Sequence, residues 1–127
     1  MGNSGKIIPN GVLLKEHEMK TVLFLTEMGY DIEFIPKSDE EGHHTPDILI
    51  DGIKWEMKSP TGDSKYTMQN NLQEALKQSC YIILDLRRAK RKEEKCLREI
   101  EKEFTFSKRI KAIKVITKGR KLLDFSR

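Results

Sequence analysis

Apolar residues along this chain recur at two spacings, and the change from one to the other divides it into helices and strands. Met19, Val22, Leu23 and Thr26 form one stripe three and four apart, which predicts a helix over residues 14–28 with Gly29 just past its end. Residues 30–35 alternate instead, Ile32 and Phe34 against Asp31, Glu33 and Ile35, as a strand does. Asp51-Gly52, a two-residue hairpin signal, has an apolar run on each side. Met68, Leu72, Ala75 and Leu76 return to helical spacing and predict a helix over residues 67–79, with Thr67 as N-cap. Residues 80–86 are almost wholly apolar, which suits a strand buried on both faces. The helix before them permits a parallel crossover back to the hairpin sheet. Leu97, Ile100 and Phe104 predict a helix over residues 93–104; a strand over 110–117 and an edge strand over 122–125 complete the chain. The layout is α-β-β-β-α-β-α-β(β). The expected fold class is α/β: a central mixed β-sheet flanked by helices, in one domain over residues 12–127, after a flexible N-terminal segment over 1–11 that is rich in Gly and Asn.

The hairpin concentrates the chemistry. With Asp51 and Gly52 as its loop, Ile50 faces Ile53, Ile48 faces Trp55, and Asp47 faces Glu56. Side chains alternate, so Lys54, Glu56 and Lys58 share one face and Ile53, Trp55 and Met57 the other, with Asp47 on the face of Glu56. Two carboxylates opposite each other repel unless a cation lies between them. A divalent metal fills that role, and Lys58 completes a charged cluster.

Charge and composition narrow the partners. Lys and Arg outnumber Asp and Glu by 24 to 20, giving +4, a balance that suits a polyanion. Mean hydropathy is −0.60, and no apolar run approaches the ~18 residues of a membrane span. No apolar h-region of a signal peptide is visible. The two cysteines, Cys80 and Cys96, form no C-x-x-C pair, so a thiolate zinc site is not expected and both are read as reduced thiols. Arg87, Arg88, Lys90, Arg91 and Lys92 put five cations in six positions after a strand, a pattern suited to phosphate contacts or to a solvated helix start. His43 and His44 end a polar loop just before Asp47, where they could ligate metal or touch phosphate. Asn71 and Gln78 flank the apolar face of their helix. Glu16 and Glu18 stand in the first turn of theirs, where the helix dipole favours acids.

Pro46-Asp47, eight residues, then Glu56-Met57-Lys58 resembles the PD-(D/E)XK nuclease motif. His17-Glu18 and GYDIEFI before it, and WEMKSPTG, NLQEALKQS and YIILDLRR after it, resemble the C-terminal toxin domain of CdiA-type contact-dependent growth inhibition proteins, over roughly residues 12–88. That resemblance implies a metal-dependent endonuclease, in most such domains one acting on tRNA. It implies Asp47 and Glu56 as metal ligands, Glu18 (with Glu16 second) as a third acid from the first helix, and Lys58 beside the attacked phosphate. Asn71, Gln78, Ser59, Arg87, Arg88 and His44 are then substrate contacts. The cofactor is a divalent metal, Mg²⁺ first, with Mn²⁺ as another oxygen-seeking choice and Zn²⁺ if a histidine joins. The partners are tRNA and a cognate immunity protein. Such a domain is delivered as part of a larger secreted or cell-surface toxin and acts in the cytoplasm of the target cell. A DNA endonuclease of the same superfamily, or a nucleic-acid-binding module without activity, would carry the same fold.

Overall fold

A computed structural model describes residues 4–37 and 45–127. Its strands are β1 (Ile7–Ile8), β2 (Ile32–Phe34), β3 (Ile48–Ile50), β4 (Ile53–Lys58), β5 (Tyr81–Asp85), β6 (Ala112–Ile116) and β7 (Leu122–Ser126). Its helices are α1 (Glu16–Glu27), α2 (Thr67–Leu76) and α3 (Glu93–Phe106), with a short 3₁₀ turn at Leu86–Arg88. The strands form one seven-stranded sheet in the order of the chain. β1 runs parallel to β2, β2-β3-β4 are antiparallel, β4-β5-β6 are parallel, and β7 returns antiparallel. The expected mixed sheet with flanking helices is therefore present.

Each turn forms for a local reason. Asp51 (φ 51°) and Gly52 (φ 79°) both take the left-handed conformation that a type I′ hairpin requires. The tight turn fixes the register: Ile50 pairs with Ile53, Leu49 with Lys54, and Ile48 with Trp55. α1 ends in a Schellman arrangement, with Gly29 N–H donating to the Thr26 carbonyl and Tyr30 N–H to that of Leu25. Gly29 supplies the positive φ, 99°, that this exit needs. α2 begins one residue earlier than expected: Thr67 is its first residue and Tyr66 the flanking one, while Thr67 Oγ1 accepts from Ser64 N–H at 3.1 Å.

The sheet separates two cores. Trp55, Met57, Ile83 and Ile116 pack with Val22 and Leu25 of α1 on one face. Ile82, Leu84, Ile113 and Val115 pack with Met68 and Leu72 of α2 and Ile100 of α3 on the other. β5 thus serves both cores in alternation, which is why its sequence is apolar at nearly every position. One lysine is tolerated between strand and helix. Lys114 donates to Asp124 at 2.8 Å and to the Tyr30 hydroxyl at 3.2 Å, and its ammonium lies over the rings of Tyr30 and Trp55.

Residues 4–11, expected as part of a flexible lead-in, are instead tied to the sheet. Ile7 pairs with Ile32 and Ile8 with Glu33; Gly5 N–H donates to the Thr26 carbonyl at 2.6 Å, and Lys6 N–H to Asp31 at 2.8 Å. The physical reason is that the exposed edge of β2 offers unpaired backbone groups, and even two residues of chain can satisfy them.

Candidate active site at the end of the hairpin

Asp47 stands where the β3-β4 ladder ends. Its own N–H donates to the Trp55 carbonyl at 3.1 Å, and its Oδ2 accepts the Met57 N–H at 2.9 Å. The side chain so substitutes for the next rung of the ladder and is held buried, 6% exposed. Glu56 lies opposite, 7% exposed. The two carboxyls are close enough to hydrogen-bond when one carries a proton. Burial first, and then the neighbouring Asp47 charge and that hydrogen bond, raise the Glu56 carboxyl to about 8. Its Oε1 is buried with no hydrogen-bond partner among the described residues. A carboxyl in that position either keeps its proton or meets a cation.

Two lysines frame the pair. Lys58, last in β4 and on the same strand face, places its Nζ 4.0 Å from Glu56 Oε2. Lys37 donates to Asp47 Oδ1 at 2.8 Å and to the Thr45 carbonyl at 2.9 Å. The sequence reading missed Lys37. The antiparallel register that pairs Phe34 with Ile48, continued by Ile35 N–H donating to the Asp47 carbonyl, puts residue 37 opposite 45. That register was the one signal able to find it.

The other predicted residues divide. Glu18 is not gathered with the pair: its Oε1 accepts the Lys15 N–H at 3.0 Å, capping its own helix, and α1 packs on the face of the sheet opposite Glu56. Glu16 is an exposed partner of Lys20 at 3.5 Å. Among the described residues no three His, Cys, Asp or Glu side chains converge as a metal cluster. Asn71 is half-buried on α2 and bonds back to the Thr67 carbonyl at 2.9 Å. Gln78 is half-buried in the turn after α2. Ser59 is half-buried directly after β4, at the Lys58 end.

Arg87 is committed to the structure. Its Nε and Nη2 donate to Asp85 at 3.0 and 2.8 Å, and Nη2 also to the Lys20 carbonyl at 2.9 Å. Arg88 beside it is exposed. Arg91 is bound to Glu99 at 2.7 Å. The run of five cations is thereby divided between structural pairs and free charge. His43 and His44 lie outside the described residues. Cys80 and Cys96 are both free thiols.

A family model described as the contact-dependent growth inhibition CdiA C-terminal domain matches residues 44–122. No curated protein matches the chain. Among solved structures, a CdiA-CT/CdiI toxin and immunity complex from Burkholderia pseudomallei is similar at a TM-score of 0.70. The match covers 97% of this chain and 100% of that one, at 14% identity, and so is a likeness of fold.

Proposed function

The chain belongs to the contact-dependent growth inhibition CdiA C-terminal domain family, the toxic effector end of a larger secreted protein, and on that premise we propose that it is a metal-dependent endoribonuclease hydrolysing phosphodiester bonds in tRNA. The observation that supports this most is the buried Asp47–Glu56 pair with an unpartnered Glu56 oxygen and Lys58 beside it. The pair is also what a PD-(D/E)XK site needs, on a mixed sheet compatible with that core.

The donors fit a hard divalent ion. Two carboxyls meet at a strand end, one oxygen lacks a partner, and the ligands are oxygen alone, which suits Mg²⁺ or Mn²⁺. Zn²⁺ would need His43 or His44. Such an ion, when bound, would polarise the phosphate and lower the pKa of water near it. Lys58 then neutralises charge developing on the phosphoryl oxygens, and its place on the strand face of Glu56 holds it at that position. Asp47 is fixed by the Met57 N–H, so one of its oxygens is presented at constant orientation. Glu18, committed to its helix cap, is not needed for this role.

Lys37 competes for that presented oxygen. Its ammonium, 2.8 Å from Asp47 Oδ1, neutralises the carboxylate that a cation would use. Lys37→Ala is therefore expected to bind Mn²⁺ about tenfold more tightly, a gain of ~1.4 kcal/mol, measured by titration calorimetry. Weaker binding in the variant would make Lys37 a supporting residue rather than a competitor.

The domain acts in the cytoplasm of the target cell, and a cognate immunity protein protects the producer. A basic domain favours an acidic immunity partner, by charge complementarity. No helix among the described residues is long and apolar enough to cross a membrane. The activity is tested by incubating the protein with total tRNA and with plasmid, each with Mg²⁺ and with EDTA. Cleavage of tRNA that EDTA abolishes is expected. Attack on plasmid alone would make it a DNA endonuclease, and no cleavage with any metal would leave a binding module.

A further inference from the structure

A second charged site lies at the same end of the central strands, on the other face of the sheet. β4 and β5 run parallel with Lys58 paired to Leu84, so residue 59 falls beside residue 85 at the next step. Lys58 faces the α2 side, as does Leu84, while Asp85 follows on the α1 side, where Thr21 Oγ1 donates to its Oδ2 at 2.7 Å. Adjacent strands lie about 4.8 Å apart. The two sites therefore share one end of two neighbouring strands, on opposite faces of the sheet.

On the α1 side His17, Lys20, Asp85, Arg87 and Arg88 line a cavity of about 230 Å³. A water molecule needs only about 30 Å³, so the space admits a larger group. The one acid in its wall is already satisfied. Asp85 Oδ1 accepts from the Arg87 N–H and Nε, and Oδ2 from Thr21 and Arg87 Nη2. Asp85 and Arg87 thus cancel as an ion pair, and the pair fixes the guanidinium on the cavity wall. What remains is cationic. Arg88 is exposed with no ion pair among the described residues, and Lys20 has only Glu16 at 3.5 Å, a pair exposed to water. Glu27, an acid whose charge also reaches Arg87, contacts Arg120 at 3.6 Å. His17 adds a third basic group. A cavity whose side chains outside the Asp85–Arg87 pair are all basic suits an anion.

We infer that this cavity binds a phosphate of the substrate strand other than the one being cleaved, with Arg88, Lys20 and His17 as its contacts and Asp85 holding Arg87 in place. The strand would then pass over the ends of β4 and β5 from the Lys58 face to the α1 face. This rests on the nuclease reading for the identity of the strand, though not for the existence of an anion site.

The test separates the two. Inorganic phosphate is titrated into the protein while the His17 ring resonances are followed by NMR. They are expected to shift saturably in wild type and not in Arg88→Ala. In EDTA, to block cleavage, tRNA affinity is measured against salt for wild type and for Lys20→Ala/Arg88→Ala. The double variant should bind more weakly, with the slope of log K against log salt reduced by about 0.7–0.9 for each lost contact. A His17 signal unmoved by phosphate, or equal slopes in the two proteins, would overturn the inference. If both effects appear but the wild type cleaves nothing in Mg²⁺, the hydrolase reading fails and the anion site stands.

Discussion

Glu56→Gln is expected to lose tRNA cleavage by at least about 10²–10³-fold while folding as well as the wild type or better. The two halves of this result have one cause. Glu56 is buried against Asp47 with an oxygen that no described group satisfies. Such a group costs stability in the metal-free protein, and an amide removes both the repulsion and the titration. Its loss would remove half of the cation's ligand set. Asp47→Asn should behave alike in activity, but for stability it is the gentler probe than Asp47→Ala. The amide oxygen can still accept the Met57 N–H that Asp47 Oδ2 now accepts, whereas alanine leaves that buried donor unpaired at about 1–3 kcal/mol. Lys58→Ala, on the surface side of the pair, should lose cleavage with little change in stability. The measurement is the initial rate on tRNA in Mg²⁺ alongside urea melts of each variant. Full activity in any of the three would remove that residue from the site. Loss of activity together with a collapsed melt would show a folding defect instead.

The hairpin was readable because three signals agree on it. Asp51-Gly52 sets a two-residue turn, the alternation of residues 53–58 sets the faces, and the turn then fixes the register that joins residue 47 to residue 56. The helices were readable from their periodicity. What was not readable depended on pairing over distance. Lys37 reaches Asp47 only because β2 pairs with β3, and residues 36–46 between them contain no turn signal that sets a register. Ile7 and Ile8 are too few to show a period, so a strand there is invisible until β2 offers its edge. In the run of basic residues, sequence could not say which cation is held. Arg87 is held because Asp85 caps the 3₁₀ turn that follows β5, and a turn of that kind brings residues two apart together. The His17-Glu18 pair pointed to a catalytic acid, but a Glu three residues after the N-cap has a nearer partner in its own helix.

The apo-protein should become less stable as pH rises from about 4.5 to about 8, and divalent metal should reverse this with release of a proton. Glu56 is raised to about 8 from an ordinary 4.5 by burial and by Asp47. Between those two values the folded protein keeps a proton that the unfolded chain has lost. The folded state binds more protons there, so stability falls with pH, with a slope approaching about 1.4 kcal/mol per pH unit for one such group. Above about 8 both states are ionised and the slope vanishes. Asp85 acts in the opposite direction. Its burial opposes ionisation, but hydrogen bonds from Arg87 and Thr21 outweigh it and lower its pKa. Its contribution is present above the ordinary carboxylate range and is lost as pH falls through its lowered value. Urea melts across pH should therefore show two limbs, and Glu56→Gln should flatten only the alkaline one. A cation entering between the carboxyls requires Glu56 ionised, so near pH 7 each ion bound should expel close to one proton. Calorimetric titration of MnCl₂ in two buffers of different ionisation enthalpy reads this directly. The apparent enthalpies should differ near pH 7 and converge by about pH 9. Identical enthalpies near pH 7 would place the bound ion away from Glu56, and with it the chemistry assigned to the pair.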